Sequence, residues 1–251
     1  VTFWDVDAPA TLDRVEKDPE DPFRRLIPRY DLIFTYGGGV AVQRAYRALG
    51  AASCIPVYNA LDPDTHHPAE PDPAFQGLLG FLGNRLPDRE SRVEAFFLDA
   101  AARMPEASFV LGGAGWESRP LPPNVRHVGH VGTAQHNAFN CSVRAVLNIN
   151  RDSMARYGFS PPTRVFEAAG AGACIITDAW TGIASFLEPG HEILVAGDGA
   201  EVAAILRNLP PEKAKGIGEA ARRRVLDAHT YRIRAALVEA VLYGHALEPA
   251  A

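Results

Sequence analysis

The residues best suited to chemistry lie in one stretch, from Arg151 to Asp178. Pro161–Pro162 fits the first turn of a predicted helix, where the missing N–H groups need no partner, and Ser160 before it is a favourable N-cap. Arg164 and Glu167 then share a helix face. The N-terminal end of a helix attracts phosphate. The stretch predicts a site for a ligand with phosphate and hydroxyl groups, and a surface ion pair is the alternative interpretation.

Further candidates follow predicted strands, because ligands of open parallel sheets bind at the carboxyl ends of the strands. This rule selects Asn84, Arg89, Gly113, His130, Arg151 and Asp178 in the C-terminal part of the chain, and Asp5 and Asp7 near its start. Tyr157 and Thr163 belong to the same loop and helix as Arg164. The turn GGAGW around Gly113 has only a G-x-G spacing, so a tight turn without a ligand is an equal alternative.

Short apolar runs that alternate with helical segments predict an α/β fold with two Rossmann-like domains of parallel strands. Residues 1–60 hold three predicted strands, about half of a doubly wound sheet, so we expect this domain to be incomplete in the chain. Residues 61–76 are rich in proline and predict a linker. Residues 77–228 hold six predicted strands, with one helix from about Ser91 to Arg103, and residues 229–251 predict a helix that packs back on the first domain.

Composition excludes several classes of function. The net charge of −5 argues against nucleic acid as the main partner. No apolar run approaches the ~20 residues that span a bilayer. We also expect no secretory leader, because no basic-then-apolar segment is found near the start of the sequence. Cys54, Cys141 and Cys174 each lie in an apolar context and predict buried free thiols in a reducing compartment. We therefore expect a cytoplasmic protein without a transmembrane segment.

The histidines do not predict a metal site. His66 and His67 lie in the linker and are expected to be exposed to solvent. His127, His130 and His136 lack the cysteine or carboxylate pattern of a zinc site. We therefore expect neither a metal nor a cofactor.

One long run carries a family resemblance. The residues NINRDSMARYGFSPPTRVFEAAGAGACIITDAWTGIASFLEPGHEILVA, from Asn148 to Ala196, resemble the C-terminal domain of GT-B fold glycosyltransferases, specifically the CgeB-like (spore maturation protein) branch. The segments FWDVDAPATL, YDLIFTYGGG, FLGNRLPDR and ARRRVLDAHTYRIRA resemble the same branch, so the likeness covers nearly the whole chain.

The resemblance implies an enzyme that holds a nucleotide-diphosphate sugar on its second domain and transfers the sugar to an acceptor on its first, without a metal. Glu167 matches the later glutamate of the family's E-x7-E signature, which commonly bonds the nucleotide ribose. Arg151 and Arg164 are then candidates for the diphosphate. Phe159 occupies the position where the family usually has the earlier glutamate, so the family's mode of sugar recognition cannot be assigned to this protein. The remaining candidates for sugar contact are Tyr157, Ser160 and Asp178.

The catalytic base is left open by the sequence. Inverting transfer needs a base near the acceptor hydroxyl, and Asp5 or Asp7 is the available carboxylate, with a turn or N-cap role as the alternative. Retaining transfer needs no base there. A catalytically silent nucleotide-sugar or carbohydrate binding protein, and a scaffold that assembles with a partner, are the competing functions. In each case we expect a partner chain or a further segment to cover the first sheet.

Overall fold

The computed structural model describes residues 1–244, apart from the side chains of Asp88 and Ser153. Two parallel sheets form its framework. The first sheet has the strand order β1-β2-β3 and the second the order β6-β5-β4-β7-β8-β9. This is the α/β fold that the alternating pattern predicts. The predicted C-terminal helix is described only in part, because residues 245–251 lie outside the described residues.

The first domain is a three-stranded sheet covered on one face by two helices. Its elements are β1 (Thr2–Asp5), α1 (Ala8–Lys17), β2 (Leu32–Thr35), α2 (Gly39–Ala48) and β3 (Cys54–Pro56), with 3-10 turns at Pro22–Arg25 and Ile27–Arg29. The core between sheet and helices includes Leu12, Ile33, Val42 and Tyr46, all of which are buried. Phe34 points to the other face of the sheet, as strand alternation requires.

The second domain is a six-stranded sheet with helices on both faces. Its strands are β4 (Gly77–Leu82), β5 (Phe109–Gly112), β6 (Val125–His127), β7 (Val143–Asn148), β8 (Ile175–Asp178) and β9 (Leu194–Ala196). Its helices are α3 (Pro87–Val93), α4 (Asp99–Ala102), α5 (Thr133–Ser142), α6 (Asp152–Tyr157), α7 (Thr163–Gly170), α8 (Gly199–Arg207) and α9 (Pro211–Ala228). Separate apolar clusters on the two faces bury the strands, which explains their continuous hydrophobic sequences.

Two predicted helices begin elsewhere. The helix expected from about Ser91 begins at Pro87 and continues through a π turn at Glu94–Leu98 into α4. Helix α7 begins at Thr163 rather than at the double proline, and Pro162 is extended with φ −63° and ψ 151°. A residue that precedes proline avoids the helical region, so Pro161 cannot open a helix in front of Pro162. The predicted N-cap role of Ser160 is therefore wrong.

The connecting segment between the sheets is ordered against the second domain. It contains a 3-10 turn at Pro73–Phe75, and Leu61 forms a parallel bridge with Thr230. Helix α10 (Tyr231–Tyr243) follows that bridge and lies beside β1 and β3, where it lines one side of an apolar groove with Trp4 and Val57. No helix in residues 1–244 is long and apolar enough to cross a membrane.

Candidate active site

A cavity of about 390 Å³ opens at the carboxyl ends of β4 and β5, beside the start of α7. We call it the second-domain cavity. The sequence-predicted residues that line it are Asn84, Arg89, Gly113, His130, Thr163, Arg164 and Glu167. The sheet edge brings together residues up to 83 positions apart in the chain, from Asn84 to Glu167. The strand-end rule selected four of these seven residues, and the predicted helix start selected the other three, Thr163, Arg164 and Glu167.

Two guanidinium groups converge above Gly83. A Cβ atom built on Gly83 would lie 3.0 Å from Nη1 of Arg89 and 3.1 Å from Nη2 of Arg164. Burial and the charge of Arg89 lower the pKa of Arg164 to about 10, while Glu167 opposes that shift. Arg164 is therefore still a cation at neutral pH, and its Cζ lies 5.3 Å from the centre of the Phe81 ring. Two cations held this closely make a favourable place for an anion.

One wall of the cavity is a glycine turn that packs closely against a neighbouring loop. Gly113 has φ +125°, and a Cβ there would lie 2.3 Å from the Gly83 carbonyl oxygen, so this position requires glycine. Nε1 of the buried Trp116 donates to the same carbonyl at 2.8 Å, and Oδ1 of Asn84 accepts from the Ala114 N–H at 3.0 Å. The GGAGW turn is thus a tight support of the cavity wall, and Trp116 belongs to the core.

Glu167 has an unexpected neighbour. Its Oε1 lies 3.8 Å from Nε2 of His66, which comes from the linker and is buried. The prediction that His66 is exposed is wrong, because the linker turn folds against α7; His67 is exposed as expected. His136 also lines the cavity, and burial lowers its pKa. Neither histidine could be selected as a cavity residue from the sequence, because the positions of both depend on contacts between distant elements.

A smaller pocket of about 220 Å³ lies between the two domains and shares Arg89 and Thr163 with the second-domain cavity. We call it the interdomain pocket. Asp7 and Arg151 line it from opposite domains, and Nη1 of Arg151 lies 3.3 Å from Oδ2 of Asp7. Ser160 also lines this pocket, but its hydroxyl donates to the Gly158 carbonyl at 2.9 Å.

The structure does not bring three predicted residues to either space. Asp5, Tyr157 and Asp178 line neither the second-domain cavity nor the interdomain pocket. Asp5 is buried and accepts hydrogen bonds from the Tyr46 hydroxyl and, at 3.0 Å, from Oγ1 of Thr11. Its carboxylate therefore serves the first domain, and the arrangement favours Asp7 over Asp5 as a cleft carboxylate.

Tyr157 and Asp178 have structural contacts instead. Tyr157 packs against the core of the first domain, and burial raises its pKa. Asp178 is buried, which raises its pKa, and its Oδ2 lies 2.6 Å from Nη2 of Arg92. Its Oδ1 accepts from the Asn150 N–H at 3.0 Å. Asp178 therefore ties β8 to β7 and α3.

A third cavity is larger than the second-domain cavity and the interdomain pocket, but it lies away from the predicted site residues. A cavity of about 860 Å³ lies at the amino ends of the second sheet, next to Gly77, Val143 and Cys174. Ligands of parallel sheets bind at the opposite edge. Within residues 1–244 no group of three or more His, Cys, Asp or Glu side chains is arranged to hold a metal ion. The three cysteines are free thiols, as predicted, although Cys141 is only partly buried.

Comparisons with known proteins agree with this geometry. Residues 89–240, more than half of the chain, match the model of a family described as Glycosyl transferase-like. The chain therefore belongs to that family. No curated protein matches the chain significantly.

Solved structures show the same fold at low sequence identity. The sucrose-phosphate synthase of Thermosynechococcus elongatus is 14% identical with a TM-score of 0.69, over 88% of this chain and 60% of that one. Anabaena HepE in complex with UDP and glucose is 14% identical with a TM-score of 0.65, over 96% and 71%. T4 phage BGT in complex with UDP-glucose is 12% identical with a TM-score of 0.61, over 98% and 74%. The predicted GT-B fold is confirmed, and the chain spans less than two thirds of the length of the synthase.

Proposed function

We propose that this protein is a glycosyltransferase that binds a nucleoside diphosphate sugar in the second-domain cavity and transfers the sugar to an acceptor in the interdomain pocket. The observation that carries the proposal is the convergence of Arg89 and Arg164 above Gly83, in the cavity that Glu167 also lines. One small space thus combines two cations with a carboxylate. A nucleoside diphosphate can use both, because its diphosphate is an anion and its ribose carries hydroxyl groups.

The two arginines suit the diphosphate. A sugar transfer that releases a nucleoside diphosphate builds negative charge on the leaving phosphate, and fixed cations stabilise that charge in the transition state. Arg164 is well placed, since it lies in the first turn of α7, where the helix dipole adds to its positive charge. In this proposal Arg89 and Arg164 supply the charge for metal-independent transfer. Arg151 contacts Asp7 across the cleft, so the proposal assigns Arg151 to the acceptor side.

Glu167 suits the ribose. It follows Arg164 by about one helical turn on α7, so both side chains face the same cavity. An ionised carboxylate can accept hydrogen bonds from two neighbouring hydroxyl groups at once. This is the role that the resemblance to CgeB-like proteins implies, and within the family we propose membership of that branch. HepE and T4 phage BGT were solved with UDP or UDP-glucose, which supports a UDP-sugar as the donor.

The interdomain pocket suits the acceptor because it adjoins the donor cavity at Arg89 and Thr163. Asp7 is its carboxylate, with a side chain 40% exposed and therefore within reach of a ligand. If the transfer inverts the sugar, Asp7 is the general base for the acceptor hydroxyl. A cytoplasmic location is part of the proposal, supported by the free thiols, which fit a reducing compartment.

Calorimetric titration tests the donor site. A panel of UDP-, GDP- and dTDP-sugars should include at least one that binds the wild type. Arg164→Ala and Glu167→Gln should each weaken that binding about 10- to 100-fold, the range of one or more hydrogen bonds to a charged group. Arg223→Ala, which removes an exposed arginine of α9, is the matched control and should bind as the wild type does.

Two outcomes would contradict the proposal. If no nucleotide sugar binds, the donor site is wrong. If a donor binds but no nucleoside diphosphate is released with any acceptor extract, the protein is a silent nucleotide-sugar binder of the same fold.

A further inference from the structure

The linker brings a buried histidine to the carboxylate proposed to bind the ribose. His66 has a side chain only 9% exposed, and its Nε2 lies 3.8 Å from Oε1 of Glu167. We propose that His66 is a positioning residue, whose Nε2–H group orients the Glu167 carboxylate towards the ribose hydroxyl groups. This inference rests on the proposed function, because it needs a nucleotide in the second-domain cavity.

The turn that carries His66 is anchored on several sides. The Leu61 N–H donates to the His229 carbonyl at 2.7 Å, and the Tyr231 N–H donates to the Leu61 carbonyl at 3.0 Å. On the other side, Nδ2 of Asn137 donates to the Thr65 carbonyl at 2.9 Å. The His66 backbone is therefore held by α5 and by the start of α10. A side chain on such a support can hold a neighbour in place.

Helix α7 is shaped to receive this turn. A Cβ atom built on Gly170 would lie 2.3 Å from Cδ1 of Leu61 and 2.8 Å from the His66 carbonyl oxygen. Any larger residue at Gly170 would push the linker away. Gly170 and Glu167 are three residues apart and so lie on one face of the helix. The close approach at Gly170 is what brings the His66 ring beside Glu167.

The surroundings determine which ring nitrogen carries the proton. Nδ1 of His66 is buried and has no hydrogen-bond partner among residues 1–244. A proton on Nδ1 would leave a buried donor unsatisfied and would turn the lone pair of Nε2 towards the Glu167 carboxylate. Both effects favour a proton on Nε2 rather than on Nδ1. The group that faces Oε1 of Glu167 is therefore a donor.

The neighbouring His136 does not compete for this role. Its ring is nearly parallel to that of His66, with centroids 6.1 Å apart and an angle of 23°. Its Nε2 lies 3.3 Å from the Val131 carbonyl oxygen, which accepts the proton of that nitrogen. Arg89 and Arg164 also face the cavity and attract the Glu167 carboxylate. A donor from the linker, 3.8 Å from Oε1 of Glu167, attracts that oxygen in the opposite direction and leaves the other oxygen for the ribose.

The discrimination between UDP and 2′,3′-dideoxy-UDP tests this role. By calorimetry, the wild type should bind UDP at least about tenfold more tightly than the analogue that lacks both ribose hydroxyls. His66→Ala should bring this ratio to within about threefold while the affinity for dideoxy-UDP stays near the wild-type value. That unchanged affinity also shows that the variant is folded. His66→Gln, whose amide N–H reaches a similar position, should restore most of the ratio.

His67→Ala is the matched control, because His67 is the adjacent and exposed histidine, and it should keep the wild-type ratio. If His66→Ala keeps the ratio, or weakens both nucleotides equally, His66 does not position Glu167 and only this inference is overturned. If the wild type binds neither of these nucleotides nor any nucleotide sugar of the panel, the proposed function fails and the inference falls with it. If the wild type binds both equally, the ribose contact of Glu167 is wrong, and the inference is overturned while a diphosphate site stands.

Discussion

At the scale of single residues, contacts decide which charged side chain is available to a ligand. Asp5 and Asp7 are two positions apart and look equivalent in sequence. In the structure Asp5 is buried beneath hydrogen bonds from its own domain, whereas Asp7 faces Arg151 across the cleft. Asp178 has a strand-end position that predicts ligand binding, yet its oxygens are bonded to Arg92 and Asn150. Residue type and strand-end position selected the candidates, and the hydrogen-bond partners show which of them is available to a ligand.

The lowered pKa of the single residue His229 predicts that the stability of the protein depends on pH. Burial, followed by the charge of Arg234, lowers the pKa of His229 to about 4, and Nη2 of Arg234 bonds its Nδ1 at 2.8 Å. Between pH 6.5 and 4 the unfolded chain binds a proton that the folded chain does not, so stability falls as the pH falls. The shift predicts a loss of about 2 kcal/mol between pH 7.5 and 5.

Urea unfolding at those two pH values measures this loss. His229→Gln keeps a hydrogen-bonding side chain but cannot take up a proton, so its stability should fall less than that of the wild type. His67→Gln replaces an exposed histidine and should follow the wild type. Equal pH dependence in the wild type and His229→Gln would show that His229 is not the group responsible.

At the scale of elements, the placement of α7 depends on how closely α9 packs against it. A Cβ atom built on Gly218 of α9 would lie 2.0 Å from the carbonyl oxygen of Gly172, which follows the C-terminal end of α7. This approach holds the turn between α7 and β8. Because α7 carries Arg164 and Glu167, the glycine contact holds in place the helix that lines the second-domain cavity. A sequence shows a glycine in a helix but not the backbone that requires it.

Replacing either of two glycines of α9 by alanine should therefore change the stability of the protein in opposite directions. Gly218→Ala should destabilise the protein by about 1–3 kcal/mol, because the added methyl group overlaps backbone that cannot move freely. Gly216→Ala should stabilise it by about 0.5–1 kcal/mol, because no atom lies within 4 Å of the added carbon and alanine favours a helix. Thermal unfolding followed by circular dichroism compares the two. The same sign for both variants would contradict the packing argument.

At the scale of the whole molecule, Phe159 lies where the two domains meet. It has the left-handed φ of 43°, rare for a bulky residue, and its carbonyl accepts from the Gly38 N–H at 2.8 Å. Cβ atoms built on Gly39 and Gly182 would lie 2.7 and 2.4 Å from its ring. The ring thus sits between a glycine of each domain. The residue that departs from the family signature has an interdomain contact in this protein.

Phe159→Ala should loosen the contact between the domains and leave the proposed donor site in place. The lost ring contacts should reduce stability by about 1–3 kcal/mol, less than for a fully buried phenylalanine. Small-angle scattering should show a larger radius of gyration, while UDP binding stays within about threefold because the binding side chains belong to the second domain. Phe159→Leu keeps an apolar side chain between the glycines and should remain compact. An unchanged radius for Phe159→Ala would mean that other contacts hold the domains.

The sequence by itself determined the fold class and the core of the candidate site. Apolar runs identify strands because buried parallel strands need continuous hydrophobic sequence, and the strand-end rule then selects Arg89. The predicted helix start, where phosphate is attracted, selects Arg164 and Glu167. Only the tertiary structure decided the rest. The burial of His66 and the interdomain position of Phe159 depend on contacts between segments far apart in the chain. Local residue preferences cannot encode such contacts, because they are set by the packing of whole elements.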